Sequence, residues 1–325
     1  MKKRQQSGQT LPDSSATETN SRSCIVETLE HRRFVEFCDA CKRYKYIGLC
    51  YGSPGVGKTV SARHYANWDR VEEFCERLTE AKATTEEIAA STTAFFTAPV
   101  VGSPHVIDRE IEKIRGRLHN EVISLRRLAE QKELVRLLDV LNDLRDRQKN
   151  PNGYRSREAD DAEDAYLAQR KRMTGLAMSV PDPTALLVVD EADRLKMAGL
   201  EQIRSIFDQG RIGLILIGMP GLEKRLARYP QFYSRIGFAH EFRPLSPDEI
   251  RQLLQRRWTP PGVRLPCDSI DAVTAASIIR ITGGNFRLLN RLLTQIERIL
   301  EINALQQVTQ TVVEAARESL VIGQA

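Results

Sequence analysis

Gly52-Ser53-Pro54-Gly55-Val56-Gly57-Lys58-Thr59 follows a short apolar run, Tyr46-Ile47-Gly48-Leu49-Cys50-Tyr51, and opens a helical pattern. The spacing is GxxxxGK[ST], the signature of a phosphate-binding loop, and a strand before with a helix after is the setting that signature requires. The glycines let the chain fold tightly enough for successive backbone N–H groups to point inward at phosphate oxygens. A helix starting near Lys58 adds its positive end. In that setting Lys58 reaches the β- and γ-phosphates and the Thr59 hydroxyl ligates Mg²⁺.

Working outward, three more apolar runs end as abruptly. Ala94-Phe95-Phe96-Thr97 stops at Pro99, Ala185-Leu186-Leu187-Val188-Val189 at Asp190-Glu191, and Gly213-Leu214-Ile215-Leu216-Ile217 at Gly218-Met219-Pro220. Helical patterns separate them, so the reading is α/β: a parallel sheet sandwiched by helices. The run ending at Asp190 places that carboxylate at a strand terminus near the phosphate loop, where it holds the Mg²⁺ shell, and puts Glu191 where it orients and deprotonates an attacking water. A water-activating base argues for hydrolysis over phosphoryl transfer to a small acceptor, since a kinase gains nothing from it.

The chain has 325 residues, 41% hydrophobic and 28% charged, which excludes fully disordered, fibrous and membrane-spanning classes and predicts a sizeable core. No apolar run approaches the roughly 18–20 residues needed to cross a bilayer, and MKKRQQSGQT has no hydrophobic stretch behind its basic start, so a cytoplasmic protein is expected. A net charge of +5 permits a polyanionic partner without requiring one. Residues 1–23 are rich in Gln, Ser and Thr and read as a disordered tail. A helix is predicted from Ile25 to about Arg43, with Val26, Leu29, Phe34, Phe37, Cys38 and Cys41 on one face. Cys38 and Cys41 form a lone CxxC with no second pair to complete a metal site, so two buried small side chains are expected there.

Between the second and third strands lies a connection from about 105 to 179. Ile107, Ile111, Ile114, Leu118, Val122, Leu125 and Leu128 recur at spacings of three and four, Pro151-Asn152-Gly153 breaks the pattern, and a charged stretch from Asp160 to Arg172 follows. The expectation is a helical insertion, a hairpin, projecting from the sheet; a solvated charged connector is the alternative. After Pro244 the strand-like runs stop, and Ser246-Pro247-Asp248-Glu249 is a strong helix start. This divides the chain into a core over 24–245, with its insertion at 105–179, and an all-α unit over 246–325.

With phosphate loop, long connection, Asp190-Glu191-Ala192-Asp193, a fourth strand and a helical end in that order, residues 25–300 resemble AAA+ ATPases, P-loop NTPases with a RecA-like core and a helical lid. Three stretches are similar to transposition regulators of the TnsC, TniB and MuB type: Leu216-Ile217-Gly218-Met219-Pro220-Gly221-Leu222, Ser234-Arg235-Ile236-Gly237-Phe238, and Thr282-Gly283-Gly284-Asn285-Phe286-Arg287. The resemblance implies ATP and Mg²⁺ as cofactors. Nucleotide binding falls to Gly52, Ser53, Pro54, Gly55, Val56, Gly57, Lys58, Thr59 and Val60 with Arg287 of the lid, metal binding to Thr59 and Asp190, and catalysis to Glu191, Lys58 and Arg235. Arg235 matches the arginine finger that enters a neighbouring subunit's site, which implies a homo-oligomer; Arg228 and Arg243 compete for the role. Arg287 matches the residue that couples nucleotide state to lid angle. Where most AAA+ proteins end the fourth strand on a polar side chain, this chain has Gly218-Met219-Pro220, from which slow hydrolysis is expected.

The same resemblance implies a ring or filament on duplex DNA, largely indifferent to sequence, that recruits or activates a transposase together with a target-selection protein. Arg109, Lys113, Arg115 and Arg117 follow the second strand and suit salt-sensitive backbone contacts, although interleaved Asp108, Glu110 and Glu112 also suit a solvated helix face. Arg251, Arg256 and Arg257 with Trp258 are a weaker cluster. Two other classes stay open: a secretion-type or signalling ATPase acting on protein, and a nucleotide-gated scaffold with vestigial hydrolysis.

Overall fold

A run such as Leu186-Leu187-Val188-Val189 has no polar face and is stable only when covered on both sides. The computed structural model describes residues 26–76, 88, 90–147, 157–266 and 270–320 and places that run on an interior strand of a sheet. The tail expected over 1–23 and the break at Pro151-Asn152-Gly153 lie outside the described residues. The elements are α1 (Leu29–Tyr44), β1 (Ile47–Tyr51), α2 (Lys58–Tyr65), α3 (Trp68–Glu76), β2 (Thr93–Thr97), α4 (Pro104–Arg147), α5 (Arg157–Ser179), β3 (Leu186–Asp190), α6 (Met197–Gly210), β4 (Gly213–Gly218), α7 (Leu222–Leu226), α8 (Pro230–Tyr233), β5 (Ile236–Glu241), α9 (Pro247–Gln255), α10 (Ala272–Thr282), α11 (Phe286–Ile302) and α12 (Gln310–Glu318).

The five strands are parallel in the order β2-β3-β4-β1-β5. β1, β3 and β4 are buried almost throughout. The fifth strand was not among the four expected. Among the described residues it pairs only with β1, and it alternates half-buried with exposed positions, so it has no continuous apolar run to announce it. The helix expected from Ile25 begins instead at Leu29, because the Thr28 side chain accepts the His31 N–H at 3.1 Å and ends the helix there. Val26 is left outside it and packs on the C-terminal helices, and the Leu29 N–H donates to Glu249 Oε1 at 3.0 Å. Cys38, Cys41 and Cys50 are buried free thiols, and burial pushes Cys41 up to about 12. Among the described residues no group of three His, Cys, Asp or Glu is placed to hold a metal ion, and no helix is long and apolar enough to cross a membrane.

The insertion is a helical hairpin of α4 and α5. Its root is part of the sheet's own core through Ile107, Ile111 and Leu118. Further out the two helices hold each other, through a small cluster of Ile123, Leu176 and Val180, through Gln169 Nε2 donating to the Glu130 carbonyl at 3.2 Å, and through Arg145 and Glu163 at 3.3 Å. At 1.5 Å per residue the 44-residue α4 is about 66 Å long. The four C-terminal helices enclose a second core, with Ile250, Ile278, Leu289, Leu292, Leu293 and Ile296 fully buried. Its first helix carries the expected capping box between Ser246 and Glu249.

Where α1, β5 and the start of the C-terminal region meet, His240 Nε2 lies 3.1 Å from Glu30 Oε1. Burial raises the Glu30 carboxyl pKa, and burial, with Arg33 and Arg243 nearby, pushes the His240 imidazole down to about 4. A base depressed from 6.5 contributes stability that is fully present above 6.5 and lost as pH falls toward 4, while the raised Glu30 acts in the opposite sense. In urea unfolding, the His240→Gln variant should therefore gain on the wild type by up to about 3 kcal/mol as pH drops from neutral toward 4, and a pH-independent difference would show that His240 is not held neutral.

Candidate nucleotide site

The strand order sets β4 between β1 and β3, so the carboxyl ends of all three open onto one crevice. The phosphate loop leaves β1 there, and α2 begins at Lys58 with Gly57 as its cap at φ 114°. Lys58 is 9% exposed, and its Nζ donates to the carbonyls of Gly52 at 2.6 Å and Ser53 at 2.9 Å. Burial lowers its pKa, while Cys50, Asp190, Glu191 and Asp193 act to raise it. One residue on, Thr59 Oγ1 donates to Asp190 Oδ2 at 2.6 Å. The structure thus brings together the two sequence-predicted metal ligands, one hydroxyl and one carboxylate, although 131 positions separate them. Both are hard oxygen donors of the kind Mg²⁺ takes alongside phosphate oxygens, so the residues fit that ion.

Asp190 is 3% exposed and accepts the Glu191 N–H through Oδ1 at 2.9 Å. Glu191 adopts φ 55°, ψ 36°, a left-handed conformation that costs a non-glycine residue about 1–2 kcal/mol. That turn carries its carboxylate away from the strand line, with Arg194 Nη2 at 3.6 Å.

The C-terminal helices close directly on the loop. Asn285 Nδ2 donates to the Pro54 carbonyl at 2.8 Å, and the Arg287 backbone N–H donates to the Gly55 carbonyl at 3.0 Å. Only glycine fits at 55: φ is +83°, and a Cβ would lie 2.6 Å from Asn285 Oδ1 and 2.8 Å from Arg287 Cβ. Asn285 also caps α11 by accepting the Leu288 N–H. Arg287, predicted as a nucleotide residue of the lid, therefore stands at the loop with its side chain exposed.

Sequence reasoning gave no role to Asn285, nor to Asp193 and Arg225. The β4 end lacks a polar side chain, as expected, because a Cβ on Gly218 would lie 2.7 Å from Asp193 Oδ1. The Asp193 carboxylate fills that place and accepts the Met219 N–H at 3.2 Å. Arg225 holds the turn from α7, donating to the Asp193 carbonyl at 2.9 Å and to the Leu195 carbonyl. The sequence signal for Asp193 was the Asp-Glu-Ala-Asp run itself, and for Asn285 the Gly-Gly-Asn-Phe-Arg stretch.

Arg235 stands apart from this crevice. Its Nε donates to Asp208 Oδ1 at 2.6 Å and its Nη1 to the Gln231 carbonyl at 2.6 Å, and Arg204 grips the other Asp208 oxygen at 2.7 Å. Arg228 is exposed, and Arg243 Nε lies 3.5 Å from Glu241. Of the basic residues after β2, Arg115 is committed to Asp182 at 2.6 Å. Arg109 is exposed beside His105, Lys113 is exposed near Glu110, and Arg117 is half-buried. Trp258 packs against Phe286, with ring centroids 5.1 Å apart.

The AAA domain family matches residues 41–226. A Staphylococcus aureus protein described as a potential ATP-binding protein is 42% identical over 303 residues, 92% of this chain and 97% of that one. Among solved structures, the Thermotoga maritima RuvB Holliday junction branch migration motor aligns over 90% of this chain and 69% of its own, at 15% identity and a TM-score of 0.48. Drosophila ORC bound to DNA aligns over 99% and 71%, at 13% identity and a TM-score of 0.49.

Asn285 separates capping from loop contact. Asn285→Ala should lower thermal stability by about 1 kcal/mol and speed release of a fluorescent ATP analogue, whereas Asn285→Ser should keep the cap and still release faster. Release from the Ser variant at the wild-type rate would show that the Pro54 contact does not hold the lid.

Proposed function

This chain belongs to the AAA domain family, and on that footing we propose that it is an ATP-hydrolysing switch that assembles on duplex DNA and recruits or activates a transposase. One observation supports its first half above the others: Thr59 and Asp190 are already in hydrogen-bond contact beside a buried Lys58, with Glu191 at the next position. Backbone N–H groups from Gly55 to Thr59 would hold the β- and γ-phosphates, and Lys58 would exchange the Gly52 and Ser53 carbonyls for phosphate oxygens. Mg²⁺, held by Thr59 and Asp190, would supply neutralisation of charge on the phosphates. Glu191 would take a proton from water as its oxygen bonds to the γ-phosphorus and the bond to the ADP oxygen breaks.

Arg235 is proposed as the finger acting on a neighbouring subunit's nucleotide, which requires it to leave Asp208 on assembly. Arg287 is proposed to report nucleotide state to the lid. The DNA and transposase half rests on the likeness of residues 216–222, 234–238 and 282–287 to transposition regulators. Arg109, Lys113 and Arg117 are the proposed backbone contacts, and Arg115 is set aside as structural.

Lys58→Ala should abolish ATP binding in a direct binding assay; unchanged affinity refutes the phosphate-loop role. Glu191→Gln should keep ATP and lose roughly a hundredfold in turnover, and wild-type turnover would remove it as the base. Arg235→Ala should cut hydrolysis about a thousandfold without weakening ATP binding by the monomer, while an unaltered rate moves the finger to Arg228 or Arg243. Duplex DNA should stimulate hydrolysis in a salt-sensitive manner, and a rate indifferent to DNA favours a protein-acting ATPase.

A further inference from the structure

The end of α1 reads Lys42-Arg43-Tyr44-Lys45-Tyr46, a run without an acid, and β1 begins at the next residue. The run therefore sits at the amino ends of the strands, while the phosphate loop leaves the other end of β1. Lys45 closes the helix in the left-handed conformation, at φ 57°, with its N–H donating to the Cys41 carbonyl at 3.0 Å. From this turn cation and rings reach to opposite sides of β1. Lys45 Nζ donates to the Ala185 carbonyl at 3.3 Å, next to β3, while the two tyrosines pack on Phe238 of β5.

Tyr44 and Tyr46 meet Phe238 with ring centroids 6.1 and 5.9 Å apart. Tyr46 rests on Gly237, where a Cβ would come within 2.5 Å of its Cγ. Even so, Tyr44 is 54% and Tyr46 47% exposed, and the Arg43 guanidinium stands 5.4 Å from the Tyr44 ring centroid. The charges beside these rings are unanswered. Among the described residues Lys42, Arg43 and Lys45 form no ion pair. Asp39, one turn back on α1, accepts the Tyr65 hydroxyl at 2.7 Å, and Asp208 on α6 is held by Arg204 and Arg235. Burial lowers the Lys45 pKa, and the Lys42 charge lowers it further.

A surface of unpaired cations and open rings fits a ligand that carries phosphates and flat faces at short intervals. Duplex DNA presents phosphates but keeps its base faces inside the stack. An acidic peptide supplies charge without such faces. We propose that this surface binds an unpaired DNA strand, with phosphates on Lys42, Arg43 and Lys45 and bases stacked on Tyr44 and Tyr46. The choice of DNA over RNA rests on the function proposed above, in which DNA is the polymer handled. The surface itself shares no residue with the nucleotide site or with the proposed duplex contacts.

Fluorescence anisotropy of the full chain without nucleotide tests it, with a labelled thymidine oligomer of about 12 nucleotides as the probe. The wild type should bind the oligomer. Tyr44→Leu with Tyr46→Leu should weaken that binding about tenfold and leave binding of a labelled duplex unchanged. Tyr44→Phe with Tyr46→Phe should bind as the wild type does. Lys42→Ala with Arg43→Ala should lower affinity and flatten the slope of log K against log salt by roughly 1.4, which keeps the test open if the leucine variant loses its thermal melt. An oligomer left unbound, a folded leucine variant or an alanine variant that binds like the wild type, or an equal loss on duplex each overturns the proposal. Tighter binding of a uridine oligomer makes this an RNA surface, and loss of ATP-dependent assembly with the oligomer still bound gives it to a neighbouring copy; the proposal falls in either case. Because no nucleotide is present, a failed ATPase assignment leaves these outcomes unchanged.

Discussion

A lysine ammonium 9% exposed at the carboxyl end of a sheet is expensive unless its charge is answered, and the crevice is organised around answering it. Two loop carbonyls accept hydrogen bonds from it at 2.6 and 2.9 Å, and Asp190, Glu191 and Asp193 supply negative charge. Those three carboxylates come from the last residue of β3 and the turn after it, whereas the lysine opens the helix that follows the β1 loop. Their meeting depends on the strand order, with β4 interposed and narrowed by Gly218. On the proposed reading, a triphosphate competing for the ammonium would release the carbonyls and change the loop's hydrogen bonding, which is what a switch at this position needs.

The change has a short path outward. Pro54 and Gly55, the residues between the lysine's carbonyl partners and the helix, are the ones that Asn285 and Arg287 grip. The Leu245 N–H donates to the Gly284 carbonyl at 2.9 Å, so the turn that grips the loop also touches the start of the C-terminal helices. From there α1 is reached through Glu249 and Leu29, and β5 through the residues around His240. Loop, C-terminal helices and first helix therefore form one connected set of polar contacts. The hairpin stands outside that set and is rooted in the sheet through Ile107, Ile111 and Leu118.

Much of this was legible in the chain. The phosphate loop, the Asp190-Glu191 strand end, the capping box at Ser246 and the hairpin each rest on short-range patterns whose physics is local: glycine conformations, uninterrupted apolar runs, an N-cap three residues from its partner, a 3.6-residue period. β5 was not legible, because an edge strand alternates and β1 supplies its apolar cover. The start of α1 was misplaced by four residues, because the apolar period continued through Val26 while the Thr28 cap ended the helix.

Sequence by itself determined the class of fold and singled out the groups proposed to handle phosphate, since those follow from residue types within a few positions of one another. Tertiary structure alone decided which groups meet: Asp193 in the niche at the end of β4, Asn285 and Arg287 on the phosphate loop, Arg115 on Asp182 and Arg235 on Asp208. Each joins residues 26 to 232 positions apart, and no local propensity encodes such a separation. It is set by the order in which strands enter the sheet and by how the C-terminal helices fold back over its edge.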